Sequence, residues 1–215
     1  WPWAAARALG SYVAGSTPMG GGTVGFPVLV LLMDLPATLG RDFSFAVQSV
    51  GMTSATIYIL CSRKPLEWPM LRAALPGALI GTPLGIMFVA PQATDLFIKL
   101  LFATMWCSFG ILHLMRINEI TAYQGMTPHN AAWDHKAGFI VGFFGSLAIA
   151  SITGVGIDMM LYMVLVLLVH ADLKIAIPTS VVLMAFTSLV GIGVKLLLGD
   201  LQPGTFENWL AAAPV

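Results

Sequence analysis

Apolar residues in this chain come in blocks, and the polar breaks between blocks carry the information. The first two blocks, 3–17 and 24–33, flank the stretch Pro18-Met19-Gly20-Gly21-Gly22-Thr23. Each is too short to cross a bilayer, whose hydrocarbon core takes about 20 helical residues. Irregular backbone at membrane depth is tolerated only where protein or water covers it. The pattern therefore predicts a re-entrant helical hairpin over 2–33, with its glycine tip near the midplane. Glycines at such a tip leave backbone N–H groups open to a ligand, and the second half-helix points its positive end at the same spot. Close helix packing through small residues is the competing reason for the same glycines.

Longer blocks follow. A helix over 41–61 is polar near its start, with Arg41, Asp42, Ser44 and Gln48. A second, over 70–90, contains Pro76, Gly77, Gly81, Pro83 and Gly85, which membrane helices tolerate where neighbours satisfy the freed backbone groups. A third covers 94–116. The segment 118–136 is polar and reads as an aqueous loop. It separates a first unit, 1–117, from a second, 137–215. The second unit opens on another short pair, 137–152 and 157–169, broken at Thr153-Gly154-Val155-Gly156 and read as a hairpin over 137–169. A helix over 173–198 and the start of one more follow.

The two units share an order of features. A shift of 134 residues lays Gly20 on Gly154, Gly22 on Gly156 and Thr53-Ser54 on Thr187-Ser188. The expected fold is an all-α polytopic membrane protein with an inverted-topology repeat. Each unit is a re-entrant hairpin plus three spanning helices, and the second unit is truncated at its C-terminus. Three crossings per unit is an odd number, so the second unit must be inverted. Arg63, Lys64, Arg72, Arg116 and Lys136 then share one side, which the positive-inside rule makes cytoplasmic. The N-terminus falls on the opposite, periplasmic side.

Composition agrees with a membrane protein. Charged residues make up 9% of the chain, against roughly 25% in soluble domains, and the mean hydropathy is +0.87. Lys+Arg and Asp+Glu balance at 10 each, which gives no basic surface for nucleic acid. Cys61 and Cys107 stand alone in apolar surroundings and suggest neither a metal nor a redox pair.

Four runs, the Gly20–Gly22 element, GRDFSFAVQSVGMTSA (40–55), PGALIGTPLG (76–85) and PTSVVLMAFTSLVG (178–191), resemble the TauE/SafE sulfite exporter family, also called toluene sulfonate uptake permeases. The resemblance covers nearly the whole chain. It implies a secondary transporter of a small sulfur-containing anion, sulfite or an organosulfonate, in a bacterial inner membrane, with export the expected direction. It implies no enzyme activity, no cofactor and no metal. The second half departs from the family pattern: Gly154-Val155-Gly156 stands where many members have a fuller glycine triplet.

An oxyanion needs several donors in a dry pocket. The candidate substrate-binding residues are Gly20, Gly21, Gly22, Thr23, Gln48, Thr153, Gly154, Gly156, Thr179 and Ser180. For each hydroxyl the alternative is back-bonding to its own helix. Asp158, one turn past the second break, is the candidate for proton coupling, because an acid at membrane depth is a functional hypothesis by default. An N-terminal helix cap is the structural alternative. Arg41 and Lys174, at the starts of the two long helices, are candidate vestibule charges, with snorkelling to the interface as the alternative. Expected partners are the anionic substrate, the lipid bilayer and a second copy of the chain in a homodimer. The competing functions are transport of another small organic anion and a membrane subunit without transport. An enzyme built on His129, Asp134 and His135 lacks a metal-ligand spacing.

Overall fold

The computed structural model describes residues 20–122 and 131–202. The expected first arm of the first hairpin, the middle of the polar loop with His129, and the expected start of a further helix after 202 lie outside the described residues. Those that are described form seven helices: α1 Gly22–Leu32, α2 Ala37–Cys61, α3 Trp68–Gln92, α4 Asp95–Ala122, α5 Trp133–Thr153, α6 Ile157–Leu168 and α7 Leu173–Leu198. Five of them, α2 to α5 and α7, are long and apolar enough to cross a membrane.

Two boundaries differ from the sequence expectation in ways that matter. Helix α2 begins at Ala37, not 41, because Pro36 ends the preceding loop in an extended conformation (φ −56°, ψ 138°) and the Asp95 carboxylate accepts the Ala37 N–H at 2.7 Å. Arg41 and Asp42 are therefore a full turn inside the helix. The expected loop 118–136 is shortened from both sides. Helix α4 continues to Ala122, steadied by an Arg116–Glu119 pair one turn apart at 2.7 Å. Helix α5 takes in Asp134, His135 and Lys136. Polar side chains show where a helix leaves the lipid, not where it stops. The second hairpin is consequently unequal: α5 has 21 residues, enough to span, and α6 runs only from Ile157 to Leu168, about 18 Å at 1.5 Å per residue.

The packing is built on glycine. Helices α3 and α5 run with their backbones in contact. A methyl group on Gly77 would lie 2.8 Å from the Phe139 carbonyl oxygen and the Phe143 nitrogen, and Gly138 and Gly142 meet the Met70 and Ala74 carbonyls from the other side. Without side chains at these points the axes can approach as closely as small-residue membrane interfaces allow. Helices α2 and α7 form a second pair. Phe45 of α2 fills the space beside Gly191 of α7, where a methyl group would come within 2.7 Å of the ring. Near one end, Asp42 of α2 lies 3.6 Å from Lys195 of α7. Past the other, the Glu67 N–H donates to Thr179 near the start of α7 at 3.0 Å. The two helices are thus antiparallel. Helix α4 lies outside these pairs, with most of its apolar residues exposed. A file of rings from Phe26 through Phe102, Trp106 and Phe109 to Tyr162 ties it to α1 and α6.

One local structure occurs twice. Val28–Leu32 and Val164–Leu168 have the same sequence, VLVLL, and both widen into a π-turn. Pro27 precedes only the first, so the proline does not cause the widening, which Gly85–Val89 and Gly145–Ala150 also show with other sequences. A left-handed residue follows each (Asp34 and His170, both φ 53°). Leu35 N–H then bonds to Leu29 O at 3.1 Å, and Ala171 N–H to Leu165 O at 2.9 Å. Each turn leads into a long helix. In this segment the halves correspond at a shift of 136, two more than the sequence alignment suggested.

Candidate functional site

The two glycine breaks have different causes. Gly154 and Gly156 hold left-handed conformations, φ 78° and 102°, which a side chain rarely adopts. They turn the chain from α5 into α6. Gly21 is right-handed at φ −57°, and neither Gly20 nor Gly22 has a positive φ. The first break instead needs glycine for close approach. A methyl group on Gly22 would sit 2.5 Å from Gln48 Nε2 and 3.1 Å from Val155, and one on Gly20 would sit 3.0 Å from Gln48 Cδ.

Helix α2 passes between the breaks. Ser44 Cβ lies 3.0 Å from a methyl position on Gly22 and equally far from one on Gly154. The breaks therefore meet at Ser44, with Val155 against Gly22. Gln48, one turn further along α2, is 1% exposed, and neither polar atom of its amide has a hydrogen-bond partner. Asp158, also 1% exposed, accepts the Met159 N–H at 2.9 Å through Oδ1, while Oδ2 has no partner. The backbone amides of Gly156 and Gly20 stand within electrostatic reach of that carboxylate. Gly20 thus lies between Gln48 and Asp158. Thr23 Oγ1, one residue beyond Gly22, is buried without a partner as well. A buried polar group left unbonded costs about 1–3 kcal/mol. Gln48 and Asp158, on either side of Gly20, are therefore the candidate donors and acceptors for a small polar ligand.

The other candidate side chains either are engaged elsewhere or lie away from the junction. Thr153 Oγ1 lies 2.9 Å from Ile149 O and 2.8 Å from Val155 O, which share its one O–H and shape the break from within. Thr179 Oγ1 donates to Ile175 O at 2.7 Å and accepts from Glu67 N, so it joins α7 to the start of α3. Ser180 Oγ back-bonds to Ile177 O at 2.9 Å. Lys174 is exposed at the start of α7. Arg41 is buried, its side chain on Asp42 at 2.9 Å and its backbone against Gly154.

Two features were missed in the sequence. Ser44, Gln48 and Met52 recur every fourth residue and mark the α2 face turned to the breaks, a signal that the spacing contains. The other feature is a buried charge cluster. Lys195 lies among Asp42, Asp200 and Arg41, joining residues too distant in sequence to be paired from it. The hydrogen bond from Lys195 holds the exposed Asp200 carboxyl below the usual carboxylate range.

No curated protein and no solved structure matches the chain. A family does, across residues 3–214, and with five helices long and apolar enough to cross a membrane the chain belongs to the sulfite exporter TauE/SafE family.

Proposed function

We infer that this chain, by its family a membrane transporter and not an enzyme, moves a small sulfur oxyanion, sulfite or a short organosulfonate, through the junction of the two breaks. The observation that carries this reading is the approach of Gln48 and Asp158, both buried and with unpartnered polar atoms, to Gly20. Gln48 Nε2 and the Thr23 hydroxyl donate to the anion. Asp158, when protonated, donates as well; ionised, it repels the anion. Proton and anion binding are then linked, each raising the affinity for the other by the same factor.

Transport follows by alternating access between units of inverted topology. Support comes from the repeated turn after α1 and α6, from the antiparallel α2 and α7, and from the meeting of the two breaks. Ala37 with Asp95, and Lys195 with Asp200, gather at one end of the bundle. Arg63, Lys64 and Arg72 lie at the other, which is assigned to the cytoplasm of a bacterial inner membrane. The direction is export. A homodimer would use the exposed apolar face of α4, which otherwise faces lipid.

The test is binding of sulfite, sulfate, methanesulfonate and acetate to the purified protein. Sulfur oxyanions are expected to bind and acetate to bind more weakly, having fewer oxygens to fill the donors. Failure of every sulfur oxyanion to bind would overturn the reading.

A further inference from the structure

Lys195 has no role in the site at the breaks. It lies near the end of α7 and is 1% exposed. Its Nζ donates to Asp200 Oδ2 at 2.7 Å and to the Asp200 carbonyl at 2.9 Å, and Asp42 Oδ1 stands 3.6 Å away. Asp42 is fully buried and already engaged: Oδ1 accepts from Arg41 Nε at 2.9 Å and Oδ2 from the Gln202 N–H at 3.1 Å. In the buried part of the cluster two cations therefore share one carboxylate. The second carboxylate comes from the surface, since the Asp200 side chain is 64% exposed.

The two bonds from Lys195 to Asp200 are held differently. Gly199, at φ 64°, closes α7, with its N–H on Leu196 O and the Asp200 N–H on Lys195 O, both at 3.2 Å. This pairing is the Schellman cap, and it fixes the Asp200 backbone beside the ammonium. The Asp200 carboxylate has no such anchor; among the described residues its bond is to Lys195. Rotation about one side-chain bond takes it into water. Lys195 then keeps the carbonyl and opens a charged position the size of a carboxylate. The position is close to the breaks, because Arg41 packs its backbone on Gly154 and its side chain on Asp42.

We propose that Lys195, backed by Arg41, is an oxyanion subsite between the Asp200 end of the bundle and the junction of the breaks, and that the Asp200 carboxylate occupies it as a tethered competitor which the transported anion displaces. The proposal rests on the transport reading above. A sulfonate or sulfite group offers three oxygens where Asp200 offers two, so it can replace the lost bond and face Arg41 as well. Asp42 cancels one of the two buried cations. The subsite therefore holds a single negative charge and lets it go again.

The test is calorimetric titration of sodium sulfite and sodium sulfate into the full chain in detergent. Asp200→Asn removes the competing charge at an exposed position, so folding is not at risk. If the tether holds Lys195 about nine-tenths of the time, affinity for sulfite rises about tenfold. Lys195→Gln in the Asp200→Asn background abolishes that gain, and Lys195→Arg retains it. A purely structural ion pair would leave the sulfite affinity of Asp200→Asn unchanged, whatever its melting temperature. Wild-type affinity in Asp200→Asn, where the wild type does bind sulfite, overturns the subsite and leaves the transport reading standing. Absence of sulfur oxyanion binding in both proteins overturns the two together. Should Lys195→Gln fail to fold, the Asp200→Asn titration alone decides.

Discussion

Replacing Gly154 by alanine tests the junction of the breaks most directly. Two penalties coincide there. The backbone is left-handed at φ 78°, and the added methyl group would lie 2.5 Å from the Arg41 carbonyl oxygen and 3.1 Å from Arg41 Cα. The conformation costs about 1–3 kcal/mol for a residue with a side chain. The overlap is with backbone, which cannot rotate away, and overpacking of this kind costs about 1–3 kcal/mol more. The sum, about 2–6 kcal/mol, corresponds to a melting temperature lower by roughly 4–24 °C for a chain of this size. Gly22→Ala makes an equally close contact, 2.5 Å, but with Gln48 Nε2 at the end of a flexible side chain and without a left-handed backbone. Gln48 swings aside, so the expected loss of stability is below that of Gly154→Ala, whereas sulfite affinity falls several-fold. Thermal unfolding in detergent and sulfite titration of both variants separate the effects. A melting temperature for Gly154→Ala within a degree of wild type would refute the close approach of α2 to the second break.

Other expectations follow from the same geometry. Gln48→Leu removes two buried, unpartnered polar atoms, each of which costs about 1–3 kcal/mol; it is expected to raise the melting temperature and abolish sulfite binding, and a variant that binds as wild type would remove Gln48 from the site. Asp158→Asn keeps the shape and a donor but cannot titrate, so it retains anion binding and loses the pH dependence; a wild-type pH profile would reduce Asp158 to a helix cap. The Asp200 carboxyl lies below its unfolded value because of Lys195, so its contact contributes stability above about pH 4 and loses it as pH falls further. Melting temperatures measured from pH 3 to 6 should show this loss in the wild type and not in Asp200→Asn.

The sequence showed where the helices are interrupted, because glycine clusters and short apolar blocks are local signals. Gln48 and Asp158 were legible for a similar reason: an amide or an acid inside an apolar run stands out. The hydroxyls of Thr153, Thr179 and Ser180 were not readable in the same way. A threonine bonded to its own helix and one bonded to a ligand look alike until the acceptor is seen. The Lys195 cluster was not legible, since its partners Asp42 and Asp200 come together only when α2 packs on α7. The start of α5 was missed because Asp134, His135 and Lys136 mark an aqueous environment, which a helix can enter without ending.

The turns at Asp34 and His170 share their main-chain hydrogen bonds and left-handed residue, yet their side chains have little in common: Met33-Asp34-Leu35-Pro36 against Val169-His170-Ala171-Asp172. What is kept is a path of the backbone. Asp and His are both among the non-glycine residues that tolerate that conformation. The two left-handed positions should therefore accept each other's residue, although Ala171 is buried in the core and Asp172 caps α7, so the rest of the turn is not exchangeable. Asp34→His is expected to melt within a few degrees of wild type, and a collapse of folding would mean that the side chain, and not the backbone course, defines the turn.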